Sequence, residues 1–105
     1  MRQIIWTNFA ISELKNIFLY YRMVAGNKVS DKIRKSIFAS TKPLIKQPLI
    51  GAPEENLNEL KQGHRYLVNG NYKIIYRQID NDIYITDVFD CRQNPSKIKK
   101  HVTEK

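Results

Sequence analysis

The stretch Tyr72-Lys73-Ile74-Ile75-Tyr76-Arg77-Gln78-Ile79-Asp80-Asn81-Asp82-Ile83-Tyr84-Ile85-Thr86-Asp87-Val88-Phe89 decides the fold. Two runs rich in β-branched and aromatic residues flank a triplet of turn formers, which is the pattern of two antiparallel strands joined by a tight turn. Period two along the first run sets Tyr72, Ile74 and Tyr76 on one face and Lys73, Ile75, Arg77 and Ile79 on the other. Working backwards, Asn69-Gly70 is a second turn, His64 to Val68 a third strand and Gly63 a break. Leu57 to Lys61 reads as one more short strand of the same antiparallel meander.

Further upstream, Gln47-Pro48-Leu49-Ile50-Gly51-Ala52-Pro53 is a connector of ordinary loop length, and the period before it changes to that of helices. Ala10, Leu14, Ile17, Phe18 and Tyr21 recur at intervals of three and four, with Glu13, Lys15 and Asn16 turned away. Gly26-Asn27 breaks that helix. A second stripe of Val29, Ile33, Ile37 and Leu44 follows, with Lys28, Asp31, Lys32 and Lys35 off it, so the two helices can form a hairpin. Pro43 lacks a backbone donor and predicts a kink or an early stop. Before the hairpin, Ile4-Ile5-Trp6 reads as a first strand that runs into the helix N-caps Thr7-Asn8. After the sheet, the tail Asn94 to His101 either opens a short helix at Pro95 or frays.

The 105 residues fit one domain, 1–105, and leave too little chain for a two-domain enzyme. Eighteen Lys and Arg against ten Asp and Glu give a net charge of +8, which favours a polyanionic or acidic partner. Cys91 is the only cysteine, so an intramolecular disulfide is excluded and a reducing cytoplasm is expected. No apolar run has the length of a membrane span or of a signal-peptide core, and no membrane partner is expected.

Chemistry-bearing candidates are mostly cationic. Lys73 and Arg77 share a strand face, and a meander can bring Arg65 and Arg92 to the same side, giving four cations suited to a phosphate. The same residues also fit a solvated outer face. Lys97, Lys99, Lys100 and Lys105, with His101, form a basic tail for nucleic acid or another target, or simply a solvated end. There is no phosphate-binding glycine loop, His-Glu-x-x-His, Cys-x-x-Cys or nucleophile-elbow serine, so no cofactor is expected. The two histidines cannot complete a zinc site, and no metal is expected. His64 reads as a turn or surface residue and Cys91 as a small packing residue.

Taken together, Asn8-Phe9-Ala10-Ile11-Ser12-Glu13-Leu14-Lys15-Asn16-Ile17, Gln47-Pro48-Leu49-Ile50-Gly51, Gly70-Asn71-Tyr72-Lys73-Ile74-Ile75-Tyr76-Arg77 and Val88-Phe89-Asp90-Cys91-Arg92-Gln93-Asn94-Pro95 resemble, in order and spacing, the RelE/ParE superfamily of bacterial toxins. The resemblance implies an α+β fold in which a helical hairpin packs on a twisted antiparallel sheet, with a first strand before the hairpin. It also implies a cognate antitoxin that neutralises the toxin by wrapping a segment around it. RelE-like members resemble ribosome-dependent ribonucleases that cut mRNA with the RNA's own 2′-hydroxyl. By motif position Lys73 and Arg92 match the phosphate-holding arginines of that group, and Arg65 its basic position before the turn.

The departure lies in the proton carrier. Where a RelE-like tyrosine falls, this sequence has Lys97-Ile98-Lys99-Lys100, and the nearest titratable substitute is His101. Lacking a group that titrates near neutrality, general acid–base catalysis loses roughly two to four orders of magnitude. That absence and the ending Arg92-Gln93-Asn94-Pro95 favour ParE-like members, which are associated with poisoning DNA gyrase. The alternatives are a ribosome-dependent mRNA endonuclease using Arg65, Lys73 and Arg92 with His101, or in second place His64, as proton carrier, and a passive basic nucleic-acid-binding module.

Overall fold

The computed structural model describes residues 2–103. A three-residue strand, β1 (Ile4–Trp6), leads into α1 (Asn8–Ala25) and α2 (Asn27–Thr41). Thr7 caps α1 as expected, its side-chain oxygen accepting from the Ala10 N–H at 3.2 Å. The same hydroxyl donates to the carbonyl of Ile85 at 3.0 Å, so one residue starts the helix and pins it to the sheet. Gly26 turns the chain between the helices at φ +90°, a conformation that costs a side chain dearly. Pro43 does stop α2, which ends at Thr41 and passes into a 3-10 turn, Lys42–Ile45.

The remaining strands are β2 (Ala52–Pro53), β3 (Arg65–Asn69), β4 (Tyr72–Ile79) and β5 (Asp82–Asp90), in the sheet order β1-β5-β4-β3-β2. The meander is antiparallel, and β1 lies parallel to β5, with Ile4 opposite Ile83 and Trp6 opposite Ile85. Leu57 to Lys61 is not a strand. Glu54 accepts from the Asn56 N–H at 3.1 Å and opens a 3-10 helix over Glu55–Leu60. Leu57 and Leu60, three residues apart, fall on one side of such a helix and pack on the sheet.

Both sheet faces are covered. The hairpin contributes Ala10, Leu14 and Ile37 to a core with Tyr72, Ile74, Tyr76, Ile83, Ile85 and Val88. On the opposite face Leu57, Ile75, Phe89 and Ile98 form a smaller cluster. Ile98 belongs to the terminal helix α3 (Ser96–Thr103), which begins just after Pro95. A bulge divides β5: Ile75 pairs with Asp87 and Tyr76 with Ile85, leaving Thr86 as the extra residue. Ile83 and Ile85 therefore share the hairpin face with Val88, while Asp87 and Phe89 turn to the α3 face.

Candidate functional site

The structure separates the four cations that the strand pattern suggested would converge. Cross-strand partners share a face, so Arg65, opposite Tyr76, points to the hairpin side, whereas Lys73, opposite Val68 and Phe89, points to the α3 side. Arg65 donates to the Gly51 carbonyl at 2.7 Å, where it ties β3 to the connector. Arg92 follows the bulge to the hairpin side. Asp90 is opposite Tyr72, and the Arg92 guanidinium grips its carboxylate through Nε at 2.9 Å and Nη2 at 2.8 Å. Lys73 and Arg77 do share a face, but four residues of strand put them about 13 Å apart. The Arg77 Nε is buried and has no hydrogen-bond partner among the described residues.

Lys73 is bound into the fold. Its ammonium meets the Glu54 carboxylate at 3.0 Å and lies 4.3 Å from the centre of the Tyr66 ring. Glu54 is 1% exposed, and burial alone would raise its carboxyl. Hydrogen bonds from Asn56 and Lys73 outweigh burial and hold it below the ordinary carboxylate value. Asp90 is lowered chiefly by its hydrogen bonds to Arg92.

His101 sits on α3 with its Nδ1 2.8 Å from Asp87 Oδ2, and its ring lies between Phe9 and Phe89 at centroid distances of 5.0 and 5.7 Å. The pairing docks α3 on the sheet, on the face that Arg65 and Arg92 do not occupy. Lys99 pairs with Glu59, tying α3 to the 3-10 helix, and Lys97 donates to Gln93 at 3.4 Å. Lys105 lies outside the described residues. His64 is buried rather than exposed, in the loop just before β3 and beside Leu57 and Asn58 of the 3-10 helix, and Cys91 is exposed in the turn after β5 instead of packed. Sequence reasoning missed the acids Glu54, Asp87 and Asp90. Only Asp90, two residues from Arg92, left a local signal.

A cleft of about 410 Å³ opens between α1 and the end of β5, lined by Glu13, Asn16, Tyr20, Tyr72, Asp90 and Arg92. Burial raises the Glu13 carboxyl and the nearby Asp87 charge adds to this, with His101 partly opposing. A carboxyl raised in the fold costs stability when ionised, and that penalty vanishes as pH falls below its unfolded value, about 4.3. Glu13→Gln should therefore raise the thermal midpoint at pH 7 and leave it unchanged at pH 3.5, as read by circular dichroism melts. Among the described residues no group of three or more His, Cys, Asp and Glu is gathered as a metal site. No helix among them is long and apolar enough to cross a membrane.

A helical hairpin on one face of a five-stranded mixed sheet, entered through a leading strand and followed by the helix α3, is an architecture shared with solved structures. Ten solved chains match it. One, from the chromosomal ParDE TA system from P. aeruginosa, superposes with a TM-score of 0.72 at 23% identity, covering 86% of this chain and 96% of its own. No curated protein matches by sequence. Residues 4–95 match the family described as ParE toxin of type II toxin-antitoxin system, parDE. The chain belongs to that family and is a type II toxin of ParE type, a class whose members have an antitoxin partner.

Proposed function

We propose that this toxin inhibits growth by acting on DNA gyrase in the cytoplasm, and that its cognate antitoxin holds it inactive. The observation that carries this reading is the separation and pairing of the cations a ribonuclease would need. Arg65 and Lys73 lie on opposite faces, Lys73 is engaged by buried Glu54, and both Arg92 donors nearest the sheet are spent on Asp90. His101, the one candidate proton carrier near the end of the chain, is held by Asp87 between two phenyl rings. No single phosphodiester can meet Arg65, Lys73, Arg92 and His101 together.

An antitoxin fits the surface of the hairpin. Tyr20, Met23, Val24 and Val29, on either side of the turn at Gly26, are 54, 83, 58 and 41% exposed, and an antitoxin segment laid over the tip would bury them. The target is tested by induced expression with brief pulse labelling of DNA and protein synthesis. DNA synthesis should fail first, with an SOS response, and purified toxin should trap gyrase cleavage complexes. Immediate arrest of translation with intact DNA synthesis would overturn the gyrase reading in favour of mRNA cleavage.

A further inference from the structure

The net charge of the molecule is almost entirely a property of the hairpin side. Residues 14–53 hold eight Lys and Arg against a single acid, Asp31, while residues 54–105 hold nine against eight. Within the hairpin the charge is ordered. Lys28, Lys32, Lys35, Lys42 and Lys46 are all exposed and follow one another at steps of four, three, seven and four. At 100° per residue Lys28, Lys32, Lys35 and the C-cap Lys42 keep one face of α2, opposite the buried stripe of Ser30, Ile37 and Thr41, and Lys46 follows beyond the 3-10 turn. Asp31 borders the row, three residues after Lys28 and four before Lys35, and is turned to Arg34 at 3.6 Å. Among the described residues no ion pair engages any of the five lysines.

We propose that this lysine row is a docking surface for the backbone of duplex DNA, separate from the target-binding reading above and not dependent on it. A solvated helix face is ordinarily mixed in sign, with acids interleaved to soften repulsion. Four like charges along one helix face, with a fifth just beyond its end, destabilise the helix slightly and call for a counter-charge of matching length. The row is rigid. From Lys28 to Lys42 it spans about 21 Å at 1.5 Å per residue. This length matches about six base pairs at 3.4 Å each, enough for the row to lie across a groove and meet phosphates on both of its edges.

The composition of the row selects among polyanions. Protein interfaces are depleted in lysine and enriched in aromatic residues and arginine at their centres, and this row has neither. Single-stranded nucleic acid is held by aromatic stacking between the cations, and the residues of this row supply no ring. Lysine alone gives point-charge contact with phosphates and no reading of bases, so the binding is independent of sequence.

The test is fluorescence anisotropy of a 20-base-pair duplex with the purified full-length chain over a range of salt. A row variant, Lys32→Gln/Lys35→Gln, is compared with Lys15→Gln/Lys61→Gln, which has the same net charge and leaves the row whole. Glutamine has nearly the helix propensity of lysine, and circular dichroism checks that both variants fold. The row variant should lower the slope of log affinity against log salt by about 1.8, at about 0.9 per lost phosphate contact, while the control pair keeps the wild-type slope. Equal losses in the two variants would overturn the proposal by assigning the affinity to net charge. Single-stranded DNA bound as tightly as duplex would overturn it too. So would row-dependent binding of poly-glutamate without affinity for duplex, which would make the row a surface for an acidic polypeptide.

Discussion

Gly51→Ala should cost the fold about 3 kcal/mol or more, one of the largest losses expected from adding a single methyl group anywhere in this chain. A Cβ at Gly51 would stand 2.6 Å from the Tyr66 carbonyl oxygen and 2.7 Å from both Cε1 and the hydroxyl of Tyr76. The carbonyl belongs to β3, paired in the sheet, and cannot withdraw. Tyr76 is 1% exposed, and its hydroxyl donates to the Pro48 carbonyl at 2.8 Å while accepting from the Gly51 N–H at 2.9 Å. Burial raises that phenol above its ordinary value, so it stays neutral and can act as donor and acceptor at once. Displacing the ring breaks both bonds and leaves buried partners unsatisfied, at about 1–3 kcal/mol for each group. Tyr76→Phe isolates the hydrogen-bond part and should cost about 1–3 kcal/mol. Urea unfolding of the two variants checks the order. A Gly51→Ala protein within about 0.5 kcal/mol of wild type would show that the connector is free to move off the sheet.

This junction explains how much of the molecule could be read beforehand. The hairpin, the leading strand, the order of β3 to β5 and the start of α3 were all legible, because each rests on local periodicity, a cap or a turn residue. Leu57 to Lys61 reads as a strand only from its place among short segments of the meander; the spacing of three between Leu57 and Leu60, which a strand would put on opposite faces, is the local sign of the 3-10 helix. Arg65 takes the hairpin face from its pairing with Tyr76, and Arg92 reaches it for a different reason. Strict alternation continued from Ile83 would put Phe89 on the hairpin face, yet the bulge at Thr86 reverses every residue after it and carries Asp90 and Arg92 to that face. A bulge leaves little trace in composition. Likewise the acids that occupy Lys73 and His101 lie 19 and 14 residues away, beyond any local pattern.

Glu54 and Lys73 provide the second large effect and bear on function as well as stability. Glu54→Ala should cost about 3–5 kcal/mol, since it strands the Lys73 ammonium and removes the acceptor for two Asn56 donors. Lys73→Met should cost a similar amount by leaving a buried carboxylate without its cation. The double variant Glu54→Gln/Lys73→Met removes both charges while keeping an acceptor for Asn56 and the apolar stem over Tyr66, so it should lie far closer to wild type than the sum of the single losses. The pH dependence follows from the same pair. A carboxyl lowered in the fold contributes stability above its unfolded value, about 4.3, and loses it as pH falls through the lower folded value. Wild type should therefore weaken below about pH 4 more steeply than the double variant, which has nothing to protonate at this position. Because the double variant keeps the fold without the lysine, it separates scaffold from chemistry. If Lys73 serves the structure, cells expressing the variant stop growing as they do with wild type. If the variant melts like wild type yet has lost its toxicity, Lys73 touches the target itself, and the ion pair with Glu54 is then the resting state of a residue that must be released to act.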